Sequence, residues 1–131
     1  MVLLFHPAFV HFPIAFYFLE MGLLIAWAVN GDEGCHRFAA IAFRWGYGFM
    51  LAAMLTGLLS AGGLQGISGK VATHFYSALV LLVFYTLRAV YGRMANPYSG
   101  YYAWLQIGGS VIGSALVALT AYYGGTLVYF S

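Results

Sequence analysis

The sequence predicts an all-α integral membrane protein, a bundle of four helices. Two features of its composition favour this fold: 63% of the 131 residues are hydrophobic and only 6% are charged. A soluble domain has about 25% charged residues, so this chain cannot cover a water-facing surface. The third observation is that polar segments divide the chain into four apolar stretches. Each is close to the length of about 20 helical residues that a bilayer core requires.

The first two stretches are joined by a short polar turn. The first contains one internal charge, Glu20, and ends in the polar segment 30–34. The second carries Arg44 and ends at the pair Gly62 and Gly63, because adjacent glycines favour a turn. We expect helical spans over about 7–30 and 37–61.

The third and fourth stretches follow the same pattern. A polar, glycine-rich link over residues 65–70 leads to the third span, which Arg88 and Arg93 close. The segment 96–100, Asn-Pro-Tyr-Ser-Gly, predicts a turn, and the chain beyond it carries no charged residue. We expect spans over about 71–87 and 101–129, and the length suits one domain, residues 1–131.

The basic residues predict which side of the membrane each loop faces. Arg37 lies between the first two spans, and Arg88 and Arg93 follow the third, whereas the opposite side has only Lys70. The positive-inside bias then places both termini on the periplasmic side of a bacterial inner membrane. The N-terminal stretch is expected to be a retained span, because no basic residue precedes it and polar residues interrupt it.

The remaining composition excludes several classes of function. The net charge of +2 is too small and too scattered for a nucleic-acid-binding surface. The one cysteine, Cys35, allows neither an intrachain disulfide nor a cysteine-based metal cage. The sequence shows no Ser-His-Asp arrangement, carboxylate dyad or phosphate-binding loop. We therefore expect that the chain is not an enzyme on its own.

Two histidines indicate a site near the outer face. His11 lies about one turn into the first span and His74 about one turn into the third, and these spans run in the same direction. A histidine within a membrane is costly and suggests a functional site. Imidazole is a common metal ligand, and b-type haem iron accepts axial histidines. We predict that His11 and His74 bind one haem b, with His6, just before Pro7 at the expected helix start, close by.

The residues around this predicted site suit a flat macrocycle. Phe12 supplies an aromatic wall, and Gly46 and Gly109 leave gaps in the second and fourth spans. The pattern H-F-x-x-A begins at His11 and again at His74, 63 residues later, and Gly46 and Gly109 have the same offset. This similarity suggests a parallel repeat whose pseudo-twofold axis runs along the membrane normal.

Two other interpretations of the histidines stay open. The pair could bind a metal other than haem iron. Alternatively, each imidazole could only hydrogen-bond to the backbone or to lipid headgroups.

A buried ion pair is expected between the first two spans. Glu20 and Arg44 fall at similar depth on adjacent antiparallel helices, and pairing would offset the cost of both charges in the membrane. The pair would fix the two spans together. A proton relay to a quinone is the functional alternative for Glu20.

The opening and closing segments resemble a known family. Residues 6–15 read H-P-x-x-V-H-F-P-I-A, and residues 124–129 read G-G-x-L-V-Y. Both motifs are similar to those of a bacterial family of small four-span membrane proteins of uncharacterised function, which also has a histidine in span three, here His74. Relatives are sometimes fused to a Rieske iron–sulfur domain, which implies a role in respiratory or photosynthetic electron transfer.

These observations predict a cytochrome b-like electron-transfer subunit that is embedded in the membrane and surrounded by its lipid. It would link quinone to a periplasmic cytochrome or Rieske protein within a larger respiratory or photosynthetic complex, with the redox chemistry supplied by the haem. The alternative is a haem-free structural or accessory subunit of a membrane complex. A small transport or quinone-binding subunit that uses Glu20 is a third interpretation.

Overall fold

The chain folds into four long helices. A computed structural model describes residues 2–96 and 99–129, with the side chains of the first helix from residue 5 onward. These residues form α1 (Val2–Asn30), α2 (Glu33–Ser60), α3 (Gly69–Met94) and α4 (Gly100–Tyr129), with a 3₁₀ turn at Leu64–Gly66 between α2 and α3. The described residues contain no strand. The predicted all-α, four-helix fold is confirmed, and all four helices are long and apolar enough to cross a membrane.

Two helix ends differ from the sequence prediction. α1 begins at Val2, so Pro7 lies inside the helix and not at its first position. α3 continues to Met94, so Arg88 lies within the helix instead of closing it. The reason for the second difference is that arginine has a high helix propensity and does not end a helix, and Arg88 also has an acidic partner within the bundle.

Local hydrogen bonds reverse the chain between α1 and α2. Gly31 has a φ of +70°, which glycine adopts without steric cost. The Asn30 side chain then accepts a hydrogen bond from the Asp32 amide, and the Asp32 carboxylate caps α2 by accepting one from the Gly34 amide at 2.7 Å. The predicted turn at 96–100 between α3 and α4 includes residues 97 and 98, which lie outside the described residues.

The helices pack unevenly around the core. α1 packs most extensively against α2 and also packs against α4, and α3 packs against α4. By contrast, α2 and α3 touch at few points. Most large apolar side chains point outward, as expected where lipid surrounds the bundle. The buried apolar cluster consists of Tyr17, Met50, Leu81, Tyr85 and Val117.

The two halves of the bundle, α1 with α2 and α3 with α4, repeat the same motifs. H-x₉-F-Y-x-L begins at His6 in α1 and, 68 residues later, at His74 in α3. G-x₁₀-G begins at Gly46 in α2 and, 67 residues later, at Gly113 in α4. The predicted parallel repeat therefore has a different register from the 63-residue offset. For α1 and α3 the difference is five residues, which turns a side chain by about 140° around the helix and so changes which residues face the other half.

Candidate functional site

Three pairs of side chains join α1 to α3 where the two halves face each other. The members of each pair occupy equivalent positions of the repeat, 68 residues apart. The histidine pair lies at the end where α1 and α3 begin, here called the histidine end. The opposite end, where α1 leads into α2 and α3 towards α4, is called the loop end. In order from the histidine end, the pairs are His6 with His74, Tyr17 with Tyr85, and Glu20 with Arg88.

The spacing of the His6 and His74 rings suits two ligands of one ion, and it also lies within the range of ordinary ring packing. The ring centroids of His6 and His74 are 6.2 Å apart, and the ring planes are 71° from parallel. Imidazole nitrogens bind metal ions at about 2.0 Å, so two rings on opposite sides of one ion have centroids about 6 Å apart. Both histidines are half-buried within membrane-spanning helices.

A backbone carbonyl holds each of these rings. His6 Nδ1 is 2.9 Å from the Ala53 carbonyl of α2, and His74 Nδ1 is 3.1 Å from the Thr120 carbonyl of α4. Because a carbonyl oxygen can only accept, both Nδ1 atoms donate, and the neutral ring keeps its lone pair on Nε2. This arrangement is typical of metal-binding histidines, whose second nitrogen donates to a backbone carbonyl or carboxylate.

Glycines let the histidines approach the neighbouring helices. A Cβ at Gly57 of α2 would lie 2.8 Å from Cε1 of His6. A Cβ at Gly124 of α4 would lie 3.0 Å from Cε1 of His74. Any side chain at either glycine would therefore press on the ring. The two halves position their histidines by the same device, a carbonyl and a glycine four residues later on the neighbouring helix.

The sequence prediction required His11 to lie opposite His74, but the structure does not bring these two residues together. His11 is exposed on the surface of α1, and its Nδ1 atom donates to the Pro7 carbonyl of its own helix. His6, which the sequence suggested as a nearby group, takes its place opposite His74. The reason is helical geometry: His6 and His11 are five residues apart and project about 140° from each other.

The other residues predicted to surround a haem contact protein side chains instead. Phe12 is 45% exposed and stacks on Phe49 with centroids 4.4 Å apart. A Cβ at Gly46 would lie 2.9 Å from the Tyr17 ring, and one at Gly109 would lie 2.8 Å from Nε of Arg88. Both glycines therefore make room for the buried pairs of α1 and α3, not for a macrocycle.

The buried acid pairs with Arg88, so the predicted Glu20–Arg44 ion pair is wrong. Arg88 Nη2 lies 2.7 Å from Glu20 Oε1 and Nη1 lies 3.2 Å from Oε2, which is a bidentate geometry. The side chains are 3% exposed for Glu20 and 10% for Arg88. Arg44 is exposed on α2. The prediction failed because it placed Arg88 outside the third span, where it could not reach Glu20.

Aromatic rings lie next to this ion pair. The rings of Tyr17 and Tyr85 stack with centroids 3.7 Å apart, one helical turn from Glu20 and Arg88. The Arg88 guanidinium lies 5.1 Å from the centroid of Phe43 and 5.4 Å from that of Tyr85, within cation–π distance. These contacts join α1, α2 and α3 around the ion pair.

A comparison with family models identifies the chain. A model described as "Predicted membrane protein (DUF2231)" matches residues 4–131. The chain belongs to this family. The match agrees with the uncharacterised membrane family indicated by the opening and closing motifs and, with the four apolar helices, makes the chain a multi-pass membrane protein. No match was found among curated proteins or among solved structures.

The donor set of this DUF2231 protein restricts which ions it could hold. Among the described residues, no group of three or more His, Cys, Asp or Glu side chains could share a metal ion. A closed structural zinc site has four protein ligands and a catalytic one has three, so two imidazoles do not meet either requirement. A haem supplies most of the ligands of its own iron, so two histidines such as His6 and His74 would be enough to hold one.

Two features of this site were missed by sequence reasoning although the sequence contains their signal. The motif H-x₉-F-Y-x-L carries more matching residues than H-F-x-x-A, and its two copies align His6 with His74. The same register aligns Glu20 with Arg88, opposite charges at equivalent positions of two facing helices. A comparison of all offsets between the halves would have found both pairs. By contrast, the carbonyl partners of the histidines follow from helix packing and have no sequence signal.

Proposed function

We propose that this DUF2231 protein binds one haem b through His6 and His74 and transfers single electrons as a subunit of a larger membrane complex. The observation that carries this proposal is the histidine pair itself. Two imidazoles from parallel membrane helices have centroids 6.2 Å apart, and each donates its Nδ1 hydrogen to a carbonyl of the neighbouring helix. Compared with the sequence prediction, His6 replaces His11 as the partner of His74.

The residues around the pair would set the properties of the site. Hydrogen bonds to the Ala53 and Thr120 carbonyls fix the ring orientations and increase the basicity of Nε2. The position within apolar helices restricts the access of water, which influences the potential of a bound iron. When bound, the haem supplies the one-electron chemistry.

The proposed partners follow from the location of the pair at the end where α1 and α3 begin. With the orientation given by the positive-inside bias, that end faces the periplasm of a bacterial inner membrane. Electrons would pass between quinone in the bilayer and a periplasmic cytochrome or Rieske protein. The resemblance to relatives with fused Rieske domains supports such a partner.

The proposal is tested by the spectrum of the purified full-length protein, produced in cells that are supplied with a haem precursor. We expect about one b-type haem per chain and a reduced-minus-oxidised α band of the b type. Because the ring planes are 71° apart, we also expect the highly anisotropic low-spin EPR signal of crossed imidazole ligands.

Folded protein that contains no haem after haem supplementation would contradict the proposal. That result would favour the alternative of a haem-free accessory subunit, in which the histidines only join the helices. A high-spin EPR signal, typical of a single axial ligand, would contradict the assignment of two histidines.

A further inference from the structure

The bundle has a cavity at the loop end, on the side where α2 and α3 separate. Its volume is about 680 Å³. A hydrogen bond of 2.8 Å between Tyr47 of α2 and Thr86 of α3 joins the two helices at the inner end of the cavity. Towards the loop end, most lining residues come from the first half of α2 and the last two turns of α3, and Leu24 of α1 and Tyr102 and Gln106 of α4 complete the wall. Glu20 and Arg88 also line it, so the cavity reaches the buried ion pair.

The cavity is rich in positive charge. Three arginines line it, Arg44, Arg88 and Arg93, against one carboxylate, Glu20. Arg88 is already paired with that carboxylate. Within the part of the chain that the structure describes, Arg44 and Arg93 make no ion pair with another side chain. The cavity therefore offers two guanidinium groups to a ligand from outside the chain.

The internal repeat provides a comparison within the same molecule. In the repeat register, Arg44 of α2 corresponds to Val111 of α4, and Arg93 of α3 corresponds to Ile25 of α1. The interface of α4 with α1, which is equivalent to that of α2 with α3, is packed closely and lacks these charges. The α2–α3 interface therefore differs from the α4–α1 interface in two ways: it carries the arginines, and it is open.

We propose that this cavity binds the anionic phosphate headgroup of a membrane phospholipid, with the acyl chains lying in the bilayer beside α2 and α3. Guanidinium groups bind phosphate through charge-assisted, bidentate hydrogen bonds. Basic pockets between membrane helices at the cytoplasmic side bind anionic lipid headgroups. Val90, an apolar residue of α3 that lines the cavity, is exposed and suits an acyl chain. This proposal does not depend on haem binding.

The test uses the purified full-length protein in detergent after removal of native lipid. Its thermal unfolding is measured with short-chain phosphatidylglycerol, with phosphatidylcholine of the same chain length, with inorganic phosphate, and with a short-chain quinone. We expect phosphatidylglycerol to raise the Tm most. In the double variant R44Q/R93Q, its apparent affinity should fall about 20- to 30-fold, because each basic residue near an anionic lipid contributes about a fivefold factor.

Arg37 provides the matched control. It is exposed near the start of α2 and does not line the cavity, so R37Q should keep the response to phosphatidylglycerol. Equal losses in R37Q and R44Q/R93Q would overturn the proposal. A rise in Tm with inorganic phosphate equal to that with phosphatidylglycerol would assign the site to a free anion. An equal rise with phosphatidylcholine or quinone would show that the site does not require an anionic headgroup. Either result would overturn the lipid assignment.

Discussion

Single residues decide how the two halves of this protein hold together. Glu20 and Arg88 are both buried at membrane depth, and each is the neutralising partner of the other. A charge at the centre of a bilayer costs several kcal/mol when it is alone, about 2.5–3.5 kcal/mol on insertion scales. Removing one partner therefore leaves an uncompensated charge.

The ion pair gives a first prediction. We expect Glu20→Gln and Arg88→Gln each to destabilise the bundle by about 3–5 kcal/mol, and the double variant by clearly less than the sum, because the remaining charge is then also removed. The measurement is unfolding in detergent, with Arg37→Gln as the control. Arg37 is exposed and does not line the cavity, so this substitution should change stability by less than about 0.5 kcal/mol. Additive effects of the two substitutions would argue against the pairing.

At the scale of the elements, the close approach of helices determines the site. α2 and α4 reach the histidines of α1 and α3 because Gly57 and Gly124 carry no side chain at the contact. The same helices use Gly46 and Gly113 against the tyrosine rings of Tyr17 and Tyr85. In membranes, where the hydrophobic effect does not drive helices together, such small residues permit close packing.

These contacts give a second prediction. Gly57→Ala or Gly124→Ala should displace a histidine ring, at a cost of about 1–3 kcal/mol for the added methyl group, and should lower the haem content per chain. Gly48→Ala, at a site with no atom within 4 Å of the new Cβ, should leave haem content unchanged and stabilise α2 by up to about 1 kcal/mol. Equal haem content in all three variants would contradict the role of these glycines.

Some features of the helices could be predicted from this one sequence, and others could not. The four helices were predictable because each is a long apolar stretch bounded by polar turns, as at Asn30 and Gly62. The end of α3 could not be predicted, because Arg88 alone resembles a charge at the membrane surface, and its partner Glu20 is known only from the fold. Which histidine faces inward was also hidden, since His6 and His11 both lie near the same helix end and differ only in helical phase.

At the scale of the whole molecule, the three pairs from α1 and α3 lie in sequence along the bundle. The histidine pair is near one end, and the ion pair lies about 21 Å further along the helices, beside the cavity of the loop end. The site proposed for haem and the site proposed for lipid are therefore at opposite ends. The orientation of the bundle determines which side of the membrane each one faces.

Orientation gives a third prediction. Cys35 is the one cysteine of the chain and lies at the loop end, so a membrane-impermeant maleimide should label it only after the inner membrane is permeabilised. In a Cys35→Ser background, Gln65→Cys, exposed in the 3₁₀ turn, should be labelled in intact spheroplasts. The reverse pattern would place the histidine end in the cytoplasm and would exclude periplasmic redox partners.

The assignment of His6 and His74 as haem ligands is tested by the haem content and reduced-minus-oxidised spectra of His6→Ala, His74→Ala and His11→Ala, each purified as folded protein. We expect His6→Ala and His74→Ala to lose the spectrum of a haem with two histidine ligands and His11→Ala to keep it. Loss of that spectrum in His11→Ala with retention in His6→Ala would show that the assignment is wrong.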